Sequence, residues 1–387
     1  MRALRIGLLW HQFGRPNLGV DALSRSNIAI LRAAAESIGA SARFVLFGKP
    51  GEDFALDEDV ELGPFLRVRE LATFNTRKYR DELKKCDLIV DICAGDGFTS
   101  IYGKLLFSLH AVTKYHAIRS GSPLVFAPQT IGPFESFWTR SIARWIFNRA
   151  RKTFARDSLS TVAFKDMGAR SPFEEVIDVA FRLPFEPAAA KAPDAPVKVG
   201  INVSGLLYRA GEQFQLTIDY AELNRRLIAQ FGAMPNVEVW LVSHVHHDAD
   251  DIDDDYPVLL ELAKAFPGTK VAPKFVNSEE AKSFIVNLDF FTGGRMHACI
   301  GAFSSLVPVV PIAYSRKFNG LFSTLGYPHV ADGKKLNTDE AVAAVIAGFH
   351  NRATLHAQAT AAMNDVARPR LNIYQNAMAD LLKEVAA

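Results

Sequence analysis

Gly293-Gly294-Arg295-Met296-His297-Ala298 sets a fixed cation and a titratable imidazole side by side, between the apolar run Leu288–Thr292 and a helix-forming stretch of small residues. A strand ending there delivers both groups to the carboxyl edge of an α/β sheet, where such sheets bind ligands. Val307–Ile312 reads as another buried strand, and Tyr314-Ser315-Arg316-Lys317 follows it with two more cations. The pattern suits a small dianion. His244 follows the apolar run Val237–Val242, and Asn202-Val203-Ser204-Gly205 follows Val197–Asn202, so two further loops are expected at strand ends in the same half.

The elements that must carry these groups are short apolar runs alternating with helical patterns, which predicts parallel sheets covered by helices. In the first half the strands are Leu4–Trp10, Ala42–Phe47, Leu88–Ile92, Leu124–Ala127 and Thr153–Ala155. A helix is expected from Asp21, with the aspartate as its cap, apolar positions at Leu23, Ile28, Leu31 and Ile38, and Gly39 just past its end. Pro184-Phe185-Glu186-Pro187, three alanines, Pro193 and Pro196 resist both helix and strand. The expected division is therefore an N-terminal α/β domain over 1–183, a linker over 184–196 and a C-terminal α/β domain over 197–387, its last helix packing back on the first domain.

With 387 residues, 49% hydrophobic and 22% charged, the chain can bury two cores. Forty-four basic residues against 42 acidic ones leave no global field for nucleic acid. Cys86, Cys93 and Cys299 share no metal-ligand spacing, and an odd count suits a reducing compartment. Ile6–Trp10 is too short for a signal core, and no run reaches the roughly 18 apolar residues of a membrane span. The expected location is the cytoplasm.

Several segments, in order, resemble the polysaccharide pyruvyl transferase family. They are Asn17-Leu18-Gly19, the Gly95–Gly97 turn, Pro128-Gln129-Thr130-Ile131-Gly132-Pro133-Phe134, Arg156-Asp157-Ser158-Leu159-Ser160, Ser243-His244, Arg295-Met296-His297-Ala298 and Tyr314–Lys317. The resemblance implies two Rossmann-like domains facing across a cleft, similar to the GT-B glycosyltransferases. It implies transfer of a pyruvyl group from phosphoenolpyruvate to a pair of sugar hydroxyls, forming a ketal during cell-surface polysaccharide or exopolysaccharide assembly, with no cofactor and no metal. Two departures from the family pattern, Val20 between Gly19 and Asp21 and Asp96 inside a glycine turn, fall where the acceptor is expected.

Phosphoenolpyruvate carries a carboxylate and a phosphate, so its site needs cations and polar donors; Arg295, Arg316, Lys317, Arg156 and Ser204 are assigned to it. Ketal formation needs one proton delivered and another removed, and His297 and His244 are the candidates, with Arg295 beside them. Which is acid and which is base stays open at this point. Asn17, Gly19, Gly95 and Asp96 are assigned to the acceptor.

Three other readings compete. His244-Val245-His246-His247-Asp248 matches part of a metallo-hydrolase motif, but Ala249 stands where another histidine is needed, and the acidic run Asp248–Asp255 reads as a solvated loop. The fold also suits a nucleotide-sugar glycosyltransferase, or a non-catalytic sugar-binding protein. Residues 137–152 interleave tryptophan and phenylalanine with five cations: a helix packed on its own sheet, or a peripheral contact with the inner face of an anionic membrane if the saccharide acceptor is lipid-linked.

Overall fold

The computed structural model describes residues 3–14, 16–48, 51, 56–66, 76–247 and 251–387, with the side chain of Arg316 outside that set. It divides into two compact units: Met1–Arg15, Leu23–Arg182 and Pro369–Ala387 form one, and Pro16–Ala22 with Leu183–Arg368 the other. Residues 16–22, assigned to the first domain by chain order, thus belong to the second unit.

The strands of the first unit are β1 (Ala3–Leu9), β2 (Ser41–Phe47), β3 (Val60–Leu62), β4 (Leu88–Asp91), β5 (Leu124–Gln129), β6 (Lys152–Ala155) and β7 (Phe173–Glu175). They form one parallel sheet in the order β3-β2-β1-β4-β5-β6-β7. The helices are α1 (Leu18–Ser37), α2 (Arg77–Leu83), α3 (Lys104–Ser120), α4 (Phe137–Phe147) and α5 (Ser158–Asp166). α1 begins at Leu18 and not at Asp21, because the Asn17 side chain takes the Gly19 N–H at 2.9 Å and opens the helix a turn early. Gly39, just past its end, has φ +70°, the left-handed conformation a β-carbon disfavours.

Aromatic packing fills this unit. Phe98 stacks on Phe107 and Phe126, and Phe126 leans on Phe147 at 4.6 Å between ring centroids. Each such side chain contributes about 1.5–3 kcal/mol through burial. Among them lies an ion pair of zero exposure, Lys114 Nζ to Asp91 at 2.9 Å, with the ammonium 4.5 Å from the Phe98 ring centre. A buried pair needs several partners to offset desolvation, and Asp91 also takes the N–H of Cys93, fixing the turn that leads to Gly95.

His11, just after β1, is locked as the neutral Nδ1–H tautomer. Nδ1 faces the Leu9 carbonyl at 3.1 Å and must donate, while Nε2 accepts from the Asn27 amide at 2.8 Å. Tyr374 fixes that amide by donating to its oxygen. Burial pushes the imidazole from 6.5 to about 3, against a smaller opposing effect of the Leu9 carbonyl. The unfolded chain therefore binds a proton below pH 6.5 that the folded one refuses until about pH 3, and stability falls across that window by about 1.4 kcal/mol per pH unit for this group. Urea unfolding near pH 6.5 and about two units lower should show a shallower loss in His11→Asn than in the parent; equal slopes would refute the assignment.

The second unit repeats the plan. β8 (Val197–Asn202), β9 (Val237–Leu241), β10 (Lys270–Val271), β11 (Phe290–Gly293), β12 (Val309–Ala313) and β13 (Ala331–Asp332) form a parallel sheet in the order β10-β9-β8-β11-β12-β13. Its helices are α6 (Gly205–Ala210), α7 (Tyr220–Gly232), α8 (Tyr256–Ala265), α9 (Ser278–Ile285), α10 (Met296–Ser304), α11 (Arg316–Thr324), α12 (Thr338–His350) and α13 (Arg352–Ala362). α14 (Arg368–Ala386) returns the chain to the first unit, where Tyr374 packs on Phe154. The proline-rich stretch after Leu183 is tied to the second unit: Glu186 N–H donates to Ser283, Ala189 N–H to Asn287, and Lys191 pairs with Asp289.

Both sheets are doubly wound α/β, as the alternation of elements predicts. In each, strand order reverses beside the first strand, between β1 and β4 and between β8 and β11, and a ligand crevice is expected outside the carboxyl ends there.

Candidate active site on the second unit

β8 and β11 end level with one another, Asn202 paired with Gly293. The Asn202 amide is fully buried and bridges three strand ends: its oxygen takes the Arg295 N–H at 2.8 Å and its nitrogen donates to the Val242 carbonyl at 2.9 Å. The two glycines before Arg295 are required by proximity. A β-carbon on Gly293 would lie 2.5 Å from that of Asn202, and one on Gly294 2.5 Å from the Tyr220 hydroxyl.

Arg295 is held by carboxylates. Its Nε and Nη2 reach Asp255 Oδ1 at 3.1 and 2.6 Å, and Nη2 also meets the Asp253 carboxylate at 2.9 Å and its carbonyl at 2.7 Å. Burial works against the guanidinium's charge, but Asp255 and Asp253 outweigh it and hold the pKa above the ordinary arginine value. The cation assigned to the donor is thus already paired, and its geometry is that of a positioning residue.

The acidic run is corrected by the same contacts. Asp255 has zero exposure and accepts five hydrogen bonds: two from Arg295, one from Gly205 N–H at 2.8 Å, and those of His244 and Val245 N–H at 2.9 and 3.0 Å. One carboxylate therefore joins the loops after β8, β9 and β11. Asp254 is also buried and caps the chain on either side, accepting from the His247 and Tyr256 N–H groups. These are scaffold, and of the described carboxylates in the run only those of Asp251 and Asp253 keep substantial exposure.

Residues 16–22 complete the arrangement. Pro16 and Leu18 exchange backbone hydrogen bonds with His246 and His244, and Asn17 bridges Val245 in antiparallel sense. Asp21 accepts from both the N–H and the hydroxyl of Ser278 at the start of α9, at 2.9 and 2.6 Å. The segment lays Gly19 against His297, so closely that a β-carbon there would sit 2.4 Å from the imidazole Nδ1. His297 is in the first turn of α10, whose start has no side-chain cap.

His244 is 4% exposed, and neither ring nitrogen has a hydrogen-bond partner among the described residues. Burial depresses its pKa well below the usual range, and the charges of His297, Arg295 and His246 add to that. It is neutral at pH 7. The adjacent Ser243 hydroxyl is likewise buried without a hydrogen-bond partner among the described residues. Buried polar atoms in native proteins are nearly always satisfied, so two neighbouring ones left open mark a place for a polar ligand.

The other assigned residues are divided. Ser204 caps α6, taking the Leu207 N–H, and its own N–H donates to the Tyr220 hydroxyl. Lys317 and Arg316 open α11, and the Arg316 side chain lies outside the described residues. Gly95 and Asp96 follow β4 in the first unit, apart in sequence and unit from Asn17 and Gly19. Arg156, assigned to the donor, belongs to the first unit and is 6% exposed, its guanidinium on Asp178 at 2.8 Å and Thr130 at 3.1 Å. A β-carbon on Gly95, which has φ +93°, would come within 3.4 Å of that guanidinium, so Arg156 supports the Gly95 turn. Gly132–Pro133 is a cis peptide. Among the described residues no three His, Cys, Asp or Glu are arranged to hold a metal ion; Asp248 of the His-x-His-x-Asp motif lies outside them.

Two doubly wound units with a site at strand ends define the chain as a protein of the GT-B fold. HepE of Anabaena, solved in complex with UDP-glucose, superposes with a TM-score of 0.60 at 15% identity over 98% of this chain and 100% of that one. The sucrose-phosphate synthase of Thermosynechococcus elongatus gives 0.58 at 11% identity over 100% and 98%. At such identities the likeness is one of fold. The family model for polysaccharide pyruvyl transferase matches residues 17–316, and the chain belongs to that family. The amylovoran biosynthesis protein AmsJ of Erwinia amylovora is 24% identical over 292 residues, 70% of this chain and 67% of that protein. The chain is accordingly a transferase, in a family of polysaccharide biosynthesis.

Proposed function

We propose that the protein transfers the pyruvyl group of phosphoenolpyruvate to two hydroxyls of a saccharide, forming a cyclic ketal, and that it does so in the cytoplasm. The observation that carries this reading is the pair of imidazoles, His297 after β11 and His244 after β9, in a chain of the pyruvyl transferase family. The donor dianion meets the uncapped N-terminus of α10, with Arg316 and Lys317 as its cations. Arg295 fixes the loop that carries His297.

The two histidines divide the proton work. His297 delivers a proton to the vinyl carbon, leaving C2 electrophilic, and the first sugar hydroxyl attacks C2. His244, neutral because buried, takes that hydroxyl's proton. The bond from C2 to the phosphate oxygen then breaks, and the second hydroxyl closes the ring. Of the two hydroxyl protons, one ends on the new methyl group and the other leaves with phosphate. Gly19 borders the His297 imidazole and Asn17 bridges Val245 beside His244, and the acceptor reaches the site past them.

Incubating the full chain with phosphoenolpyruvate and saccharide acceptor should release inorganic phosphate and place a pyruvate ketal on the product, read by NMR. Release of nucleoside diphosphate from a nucleotide sugar, with no phosphate from phosphoenolpyruvate, would replace this reading with glycosyl transfer. Turnover of neither donor would reduce the protein to a sugar binder.

A further inference from the structure

One face of the first unit is both apolar and cationic to a degree the transfer reaction does not require. α3 and α4 lie side by side in parallel: Phe107 meets Trp138 near their starts, at 5.3 Å between ring centroids, and Tyr115 stacks on Trp145 further along, at 6.0 Å. The inward sides are core, with Phe107, Ala143, Ile146 and Phe147 buried. The outward sides are not polar. Phe137 is 87% exposed and Leu105 65%, and Ile101, Tyr102, Ile142 and Trp145 also keep a third or more of their surface open. The loop of Ile101 and Tyr102 is tied to the approach of α4, since Ser100 accepts from the Glu135 N–H and donates to the Pro133 carbonyl.

The charge of this stretch is lopsided. Residues 97–152 hold eight cations and one carboxylate, Glu135, in a chain whose net charge is only +2. Lys114, Arg151 and Lys152 are paired with Asp91, Glu384 and Glu174. Lys104, Arg119, Arg140, Arg144 and Arg149 form no ion pair among the described residues, and the Arg149 guanidinium sits over the Trp145 ring at 4.2 Å from its centre. A helix that only covers its own sheet has no need to keep phenylalanine and leucine in solvent, nor to exclude acidic residues.

We infer that this two-helix face docks the protein on an anionic lipid surface, with Phe137 and Leu105 entering the boundary of the acyl chains and the arginines meeting the headgroups. Tryptophan and tyrosine, apolar with one polar handle, suit the interface between the two. The sequence composition of 137–152 raises the idea; α3 and the Ile101 loop supply the second half of the surface, which the sequence alone does not join to it. No described helix is long and apolar enough to cross a membrane, so the contact is peripheral. An acceptor carried on a lipid would then be met where it resides, an implication that goes beyond the transfer chemistry and does not depend on it.

The test is sedimentation of the full chain with vesicles of phosphatidylcholine alone or mixed equally with phosphatidylglycerol, at low and high salt. Binding is expected on the anionic vesicles only, weakened by salt, with a blue shift of tryptophan emission from Trp138 and Trp145. Arg140→Gln with Arg144→Gln should weaken partition roughly 25-fold, about fivefold for each charge. Phe137→Ser with Leu105→Ser should remove most of the remainder, and both pairs should melt like the parent because the side chains are exposed. Absence of binding to anionic vesicles at low salt would overturn the proposal, as would variants that bind like the parent. Self-association of the parent that the Phe137→Ser, Leu105→Ser pair abolishes, without vesicle binding, would assign the face to a second copy instead.

Discussion

A His297→Ala protein is expected to keep its fold and lose pyruvyl transfer by about two to four orders of magnitude, the range a positioned proton donor contributes. The imidazole is half-buried in the first turn of α10, on a backbone set by the Asn202 bridge to Arg295 N–H. Its removal opens space at the surface of the site and leaves the Asp255 network intact. Gly19 provides the steric counterpart. A methyl group there would start 2.4 Å from Nδ1, a distance no real contact tolerates, so Gly19→Ala must swing the imidazole away without deleting it. Phosphate release from phosphoenolpyruvate should fall in kcat for both variants, more in His297→Ala, with thermal melts close to the parent. Full turnover in both would remove His297 from the mechanism.

Asp255→Ala is expected to cost about 3–5 kcal/mol of stability, the usual consequence of removing one partner of a buried charge pair. Three backbone N–H groups lose their acceptor at once, and the Arg295 guanidinium loses the stronger of its two carboxylates. For a domain with a total stability of roughly 5–15 kcal/mol, this is a large share. Urea unfolding measures it. Arg295→Ala in the same background should cost less than it does alone, because the charge it removes is by then already unpaired. Strict additivity of the two would mean that the pair is not coupled as the geometry indicates. Asp255→Asn is the milder test: the size is kept, but an amide nitrogen must face groups that all donate.

What the sequence shows and what it hides follow from distance along the chain. The long strands are legible because each is a short apolar run between turn residues, and the glycines before Arg295 announce a tight strand end. The edge strands β3, β7, β10 and β13, two or three residues each, carry no period to read. Asp255 is invisible for another reason. Nothing in the run Asp251–Asp255 separates the buried members from the solvated ones, since the groups that claim Asp255 lie at residues 205, 244, 245 and 295. One clue exists in Gly205, whose absent side chain would sit 2.0 Å from the Asp254 carbonyl. Arg295 and Arg156 show the same limit from the other side: residue type suggests an anion, and the structure supplies it from the protein itself. Asn17 and Gly19 are read as loop residues, but their partners lie more than 200 residues away.

That last separation bears on how such proteins diversify. The second unit is encoded in two pieces, because residues 16–22 lie far upstream of the rest, which begins at Leu183. A recombination that exchanged the amino-terminal half between two relatives would also exchange Asn17, Gly19 and Asp21, and with them the surface against His297 and the clasp on Ser278. The halves cannot be traded as cassettes. Change in the amino-terminal half is genetically linked to the fit around His297, and new specificities are expected to arise by point substitution around a retained glycine.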